Sequence, residues 1–121
     1  MHTFLLTNTM SIDFVEINKK GVQAAMRGHM HEAEEFFRAA LRLDTESSEP
    51  LFNLIKLLHI NQRHHDAVQL FNLGVRNNSL SGIPPQILNI IGDCAVKTED
   101  FVEALKCFDF LCNSFPEHVD N

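Results

Sequence analysis

Residues 31–44, HEAEEFFRAALRLD, place Ala33, Phe37, Ala40 and Leu41 at intervals of three and four, the spacing of one face of a helix. Thirty-four residues on, residues 65–77, HDAVQLFNLGVRN, set Ala67, Phe71, Gly74 and Val75 in the same order. After 37 more residues come Ala104, Phe108 and Leu111. The three additional residues fit in NNSLSGIPP (77–85), a run of turn formers where an insertion costs little.

A second helical pattern stands upstream of each copy. Ile17, Lys20, Gly21 and Ala24 precede the first, Leu51, Leu54, Ile55 and Leu58 the second, and Leu88, Ile91, Gly92 and Ala95 the third. Each follows i, i+3, i+4, i+7 spacing, so each unit reads as two helices joined by a short turn. Capping signals agree. Asp100 with Glu103, and Asp13 with Glu16, are capping-box starts. Ser48 before Glu49-Pro50, and Ser81 or Gly82 before Pro84-Pro85, predict N-caps followed by first-turn prolines. The predicted helices are 13–27, 31–44, 48–60, 64–77, 84–97 and 101–114.

The small residues supply the reason for the repetition. Gly21, Ala33 and Ala40 allow two helix backbones to approach, and Phe37 fills the wedge where they diverge. Such a pair still has apolar surface on its flanks. Stacking a like pair against it buries that surface, so the pattern recurs at fixed spacing. The expected fold is all-α: an α-solenoid of three antiparallel helix pairs.

Composition narrows the function classes. A chain of 121 residues with 45 % hydrophobic and 21 % charged residues is an ordinary globular domain by size and make-up. Its formal charge is -6, and 85–118 holds six acidic residues against Lys97 and Lys106. Phosphate backbones require clustered Lys and Arg, so nucleic acid is not the expected partner. No apolar run approaches the roughly 20 residues that span a bilayer, and the N-terminal stretch lacks a basic n-region; no membrane partner and a cytoplasmic location are expected. Cys94, Cys107 and Cys112 form no CxxC and sit in apolar helical stretches, where buried thiols are expected.

The repeat resembles the tetratricopeptide repeat family over about residues 14–118. The resemblance rests on Gly21 and Gly92 in the first helices, Gly28 in the turn, and Ala33, Ala67 and Ala104 in the second helices, with Phe37, Phe71, Phe108 and the terminal Pro116. EDFVEALKCFDFLCNSFP (99–116) is the stretch most similar to the family pattern. Ile55 and Gln62 depart from it where glycines are usual, Leu111 where a small residue is, and Thr45 and Ser79 where proline is. The resemblance implies a right-handed superhelical stack with repeats at about 14–47, 48–81 and 85–118, in a single domain of residues 13–118. Residues 1–12 are expected to be a flexible lead-in and 119–121 a tail.

It also implies a concave groove lined by the first helices, where another protein's peptide or helix sits. The groove residues are then Val15, Asn18, Val22 and Met26 at one end, and Phe52, Asn53, Lys56 and His59 in the middle. Gln86, Asn89, Ile90, Asp93 and Lys97 form the far end. Asparagines can hydrogen-bond a peptide backbone, and Phe52 or Ile90 can anchor an apolar side chain. The carboxylate clamp of the family's chaperone-binding members is rejected. Only Asn53 matches it, and without cations the site cannot offset the desolvation of a carboxylate.

The expected role is a non-catalytic interaction scaffold, with a small chaperone of a secretion or assembly system as the alternative. No catalytic motif is present, and no cofactor is expected. His29, His31, His64 and His65 fall in corresponding turns and offer a weak alternative as metal ligands. The last helix carries Phe101, Leu105, Phe108, Phe110, Leu111 and Cys112 with no capping helix after it, which predicts a self-association face. Phe4-Leu5-Leu6 of a neighbouring molecule is a further candidate to cover that face.

Overall fold

Three inter-helix turns in the computed structural model are built alike. Gly28, Gln62 and Glu99 each adopt positive φ, at 82°, 62° and 63°. The next residue's N–H reaches back to close a six-residue ring: His29 to the Ala24 carbonyl at 2.8 Å, Arg63 to Leu58 at 2.8 Å, Asp100 to Ala95 at 2.7 Å. The shorter bonds recur too, Gly28 to Ala25, Gln62 to His59 and Glu99 to Val96, each at 3.0 Å. This is a Schellman ending, which satisfies the carbonyls a helix C-terminus leaves open. Gln62, one of the departures from glycine, and Glu99 in the last turn therefore keep the turn and accept left-handed strain.

The structure describes residues 15–43, 48–74 and 82–114. The described residues form six helices and no strand: α1 (15–26), α2 (Met30–Leu43), α3 (Ser48–Ile60), α4 (His64–Gly74), α5 (Pro85–Lys97) and α6 (Phe101–Ser114). The expected lead-in and tail, Phe4-Leu5-Leu6, Asp13, Thr45, Ser79 and Pro116 lie outside them. No described helix is long and apolar enough to cross a membrane. Asp100 caps α6 as expected, its Oδ1 accepting the Glu103 N–H at 3.2 Å. The start of α5 differs from expectation. Its N-cap is Pro84, with no side-chain cap, rather than Ser81 or Gly82, because Pro85 has no N–H to satisfy.

The chain divides into two compact units, one ending at Leu57 and the other beginning at Leu58, so the division falls inside α3. In the first unit, Ala24, Ala33, Phe37, Ala40, Leu54 and Ile55 form the core. A Cβ on Gly21 would stand 2.5 Å from Phe37 Cε1, so only glycine fits against that ring. In the second unit α5 packs against both α4 and α6. Its core contains Leu58, Ala67, Phe71, Leu88, Ile91, Cys94, Ala104, Cys107 and Leu111. Gly92 repeats the close approach, 2.5 Å from Phe108 Cε1.

Candidate peptide-binding site

The first unit contains an open cavity of about 620 Å³, lined by Val15, Asn18, Lys19, Val22 and Gln23 of α1 and by Glu49 and Asn53 of α3. The α1 residues recur at three- and four-residue steps, which brings one helix face to the cavity. Asn18 is its pivot. Only 7 % exposed, Asn18 donates from Nδ2 to Glu49 Oε1 at 3.1 Å and accepts at Oδ1 from Asn53 Nδ2 at 3.3 Å. A buried amide must be paired, and this relay pairs both ends of Asn18 and so fixes its orientation. Asn53 retains its Oδ1 and a second N–H, which take no partner among the described residues. Beside them stand exposed Val15 and Val22. The cavity thus combines an acceptor and a donor at the spacing of one peptide group with apolar contact, the chemistry an extended segment needs.

Of the residues expected to line a groove, the first unit brings Val15, Asn18, Val22 and Asn53 together. Met26, 81 % exposed, half-buried Phe52 and exposed Lys56 are outside the cavity lining. Lys19, Gln23 and Glu49 line it without having been expected. The signal for Glu49 was its position one turn before Asn53 on α3, where it reads first as a helix-start acid.

A separate polar cluster occupies the second unit. His59 Nε2 lies 3.0 Å from Asp93 Oδ2, and Lys97 Nζ donates to both Asp93 oxygens at 3.2 and 3.0 Å. Lys97 first and His59 second hold the Asp93 carboxyl below the ordinary carboxylate value, against the opposing pull of its partial burial. The His59 ring meets the His64 ring edge-on, with centroids 6.0 Å apart. Gln86 and Asn89 are exposed and Ile90 is half-buried.

Among the described residues no group of three or more His, Cys, Asp or Glu side chains is placed to hold a metal, so the weak alternative at His29, His31, His64 and His65 gains no support. His29 instead faces Glu32 at 3.4 Å and His31 faces Glu35 at 3.3 Å, each one helical turn on. Two other expectations need correction. Leu111 is fully buried, not part of a bare face, because it shares the inward side of α6 with Ala104 and Cys107. Cys112 is exposed rather than buried. The other two thiols are inert by environment: burial pushes Cys94 up to about 11 and Cys107 up to about 12, with Asp93 and Glu103 adding to the effect.

No family model matches the chain. Over 102 residues, 82 % of its length, it is 31 % identical to protein O-mannosyl-transferase Tmtc3 of Drosophila melanogaster, but it spans only 10 % of that protein. Among solved structures it is similar to the type III secretion translocator chaperone SycD of Yersinia enterocolitica, crystallised as an alternative dimer. The TM-score is 0.66 at 17 % identity, over 86 % of this chain and 79 % of that one. Together with the three equivalent turns, these likenesses give the fold: an all-α, tetratricopeptide-like array of helical hairpins.

Proposed function

We propose that this chain is a non-catalytic scaffold of the tetratricopeptide family that binds a segment of another protein. One domain, 13–118, would carry three repeats at about 14–47, 48–81 and 85–118. The observation that carries the reading is the Asn53–Asn18–Glu49 relay beside Val15 and Val22, an oriented amide next to open apolar surface. The cavity is a seat for one partner side chain and the backbone flanking it. The His59–Asp93–Lys97 cluster offers a second, charged contact in the other unit. Tmtc3 is named for transfer chemistry, yet this chain spans only a tenth of it, so the name of the whole does not carry over to the chain.

A chaperone role is the second reading, favoured by the likeness to SycD. A client segment would occupy the same cavity, and the two readings differ in whether the partner folds without it.

The test is selection of a random dodecapeptide phage library against the purified chain, followed by calorimetry of a selected peptide. The expected result is micromolar binding that weakens at least tenfold in Val22→Asp, an exposed position where folding is unaffected. Peptides that bind Val22→Asp and Asn53→Ala as well as wild type remove the cavity from the function.

A further inference from the structure

Equivalent positions of the three hairpins differ in one systematic way. The flank by which α3 buries itself carries Pro50, Leu54 and Leu57, and the same flank of α5 carries Ile87, Ile91 and Cys94, all buried. The matching positions of α1 are Glu16, Lys20 and Gln23, all exposed. The second helices show the opposite trend. α4 lies against α5 and buries Val68 and Phe71. The matching residues of α6, Leu105 and Phe108, are 69 % and 36 % exposed. Phe101 at 61 % and exposed Cys112 extend them into a stripe with steps of four, three and four, the seam spacing of paired helices.

We propose that this stripe seats a second copy of the chain, with the two α6 helices antiparallel about a two-fold axis between Leu105 and Phe108. Head-to-tail addition would lay α1 of one copy on α6 of the next as α5 lies on α4. That arrangement strips water from Lys20 and from Glu16, which faces Lys19 at 3.8 Å, against an apolar stripe that offers charge no new partner, and such burial is costly. Tail-to-tail pairing buries only matching surface. Phe101 then stands opposite Cys112 of the second copy, and Leu105 opposite its Phe108. Lys106 falls within about 3 Å, along the axis, of the second copy's Asp109. A parallel arrangement would instead put Lys106 and the second copy's Asp109 on opposite sides of the seam and pair neither. An interface of this symmetry closes at two copies, and the polar flank of α1 offers no apolar surface for a further copy.

Sedimentation velocity from micromolar to millimolar concentration tests it. Wild type is expected to pass from monomer to dimer and stop there. Leu105→Glu is expected to lose association at least tenfold, while Leu73→Glu, at a similarly exposed apolar site on α4, retains it. Lys106→Asp weakens the dimer, and adding Asp109→Lys restores it. Glu16→Leu with Lys20→Leu gives α1 the apolar flank of α3 and converts the closed dimer to open polymers. Circular dichroism confirms that each variant is folded; should Leu105→Glu unfold, the charge swap alone decides. A wild-type monomer at every concentration, wild-type growth beyond the dimer, or a charge swap that fails to restore association overturns the proposal.

Discussion

The first and last hairpins share a contact and differ in what surrounds it. Gly21 meets Phe37, and Gly92 meets Phe108, with the same 2.5 Å clearance between a notional Cβ and the ring. Phe37 is nevertheless 2 % exposed and Phe108 36 %. Sequence within a hairpin sets how close its two helices come, since one missing methyl group lets the ring seat itself. Burial of the ring's outer side depends on what lies beyond the hairpin. The same motif is therefore a core element in one place and a half-open surface in the other.

Truncating the two rings gives the largest effect. Phe37→Ala is expected to lower unfolding free energy by about 3–5 kcal/mol, the cost of deleting a buried ring and leaving its cavity. Phe108→Ala, whose ring already meets water and whose vacated space can fill with solvent, is expected to cost about 1–2 kcal/mol. Urea titration in dilute solution measures both. Equal losses would mean that the exposed ring of α6 is held as firmly as the buried one, and the distinction between the hairpins would fail.

Much of this was legible in the sequence because it is periodic and local. Spacings of 34 and 37 residues mark the equivalent alanines and phenylalanines; the structure buries all three alanines and repeats the Gly21–Phe37 contact at Gly92–Phe108. Asn18 was legible only as a residue on the groove side of a helix. Its burial depends on Glu49 and Asn53 arriving from α3, a partnership across 31 and 35 residues that periodicity cannot report. His59 and Asp93 were each placed at the groove, yet their 3.0 Å contact depends on the same unseen offset between neighbouring helices. Leu111 was within reach. It lies four residues after Cys107 and seven after Ala104, hence on the buried side of α6.

The turns sharpen the contrast between the first and last hairpins, with a smaller expected effect. Gly28 and Glu99 hold the same left-handed backbone, but only glycine adopts it without a steric penalty. A Cβ on Gly28 would meet nothing within 4 Å, so Gly28→Ala tests the backbone alone, and a loss of about 1 kcal/mol is expected. Glu99→Gly is expected to gain about 0.5–1 kcal/mol, because relief of strain exceeds the added freedom of the unfolded chain. The two variants should shift the thermal midpoint in opposite directions. A destabilised Glu99→Gly would show that the Glu99 side chain contributes more than its strained backbone costs.

The smallest effect separates the two polar clusters. In the first unit α1 and α3 are joined through amides, Asn53 to Asn18 and Asn18 to Glu49, whereas in the second His59 of α3 meets Asp93 of α5, which Lys97 pairs within α5. Lys97, then His59, keep the folded Asp93 carboxyl below its ordinary value of 3.8. Since the unfolded chain takes up that proton more readily, the cluster stabilises the fold fully above about pH 3.8 and loses its contribution as the pH falls through the lower, folded value. The Asp93 side chain is 42 % exposed, so solvent screening limits the contribution to less than about 1 kcal/mol. Asp93→Asn is accordingly expected to flatten the fall in urea midpoint below pH 4 and to lose little more at high salt, where the wild-type pair is already screened. An acid limb equally steep in wild type and Asp93→Asn would place the acid sensitivity elsewhere and leave the His59–Asp93–Lys97 cluster without energetic consequence.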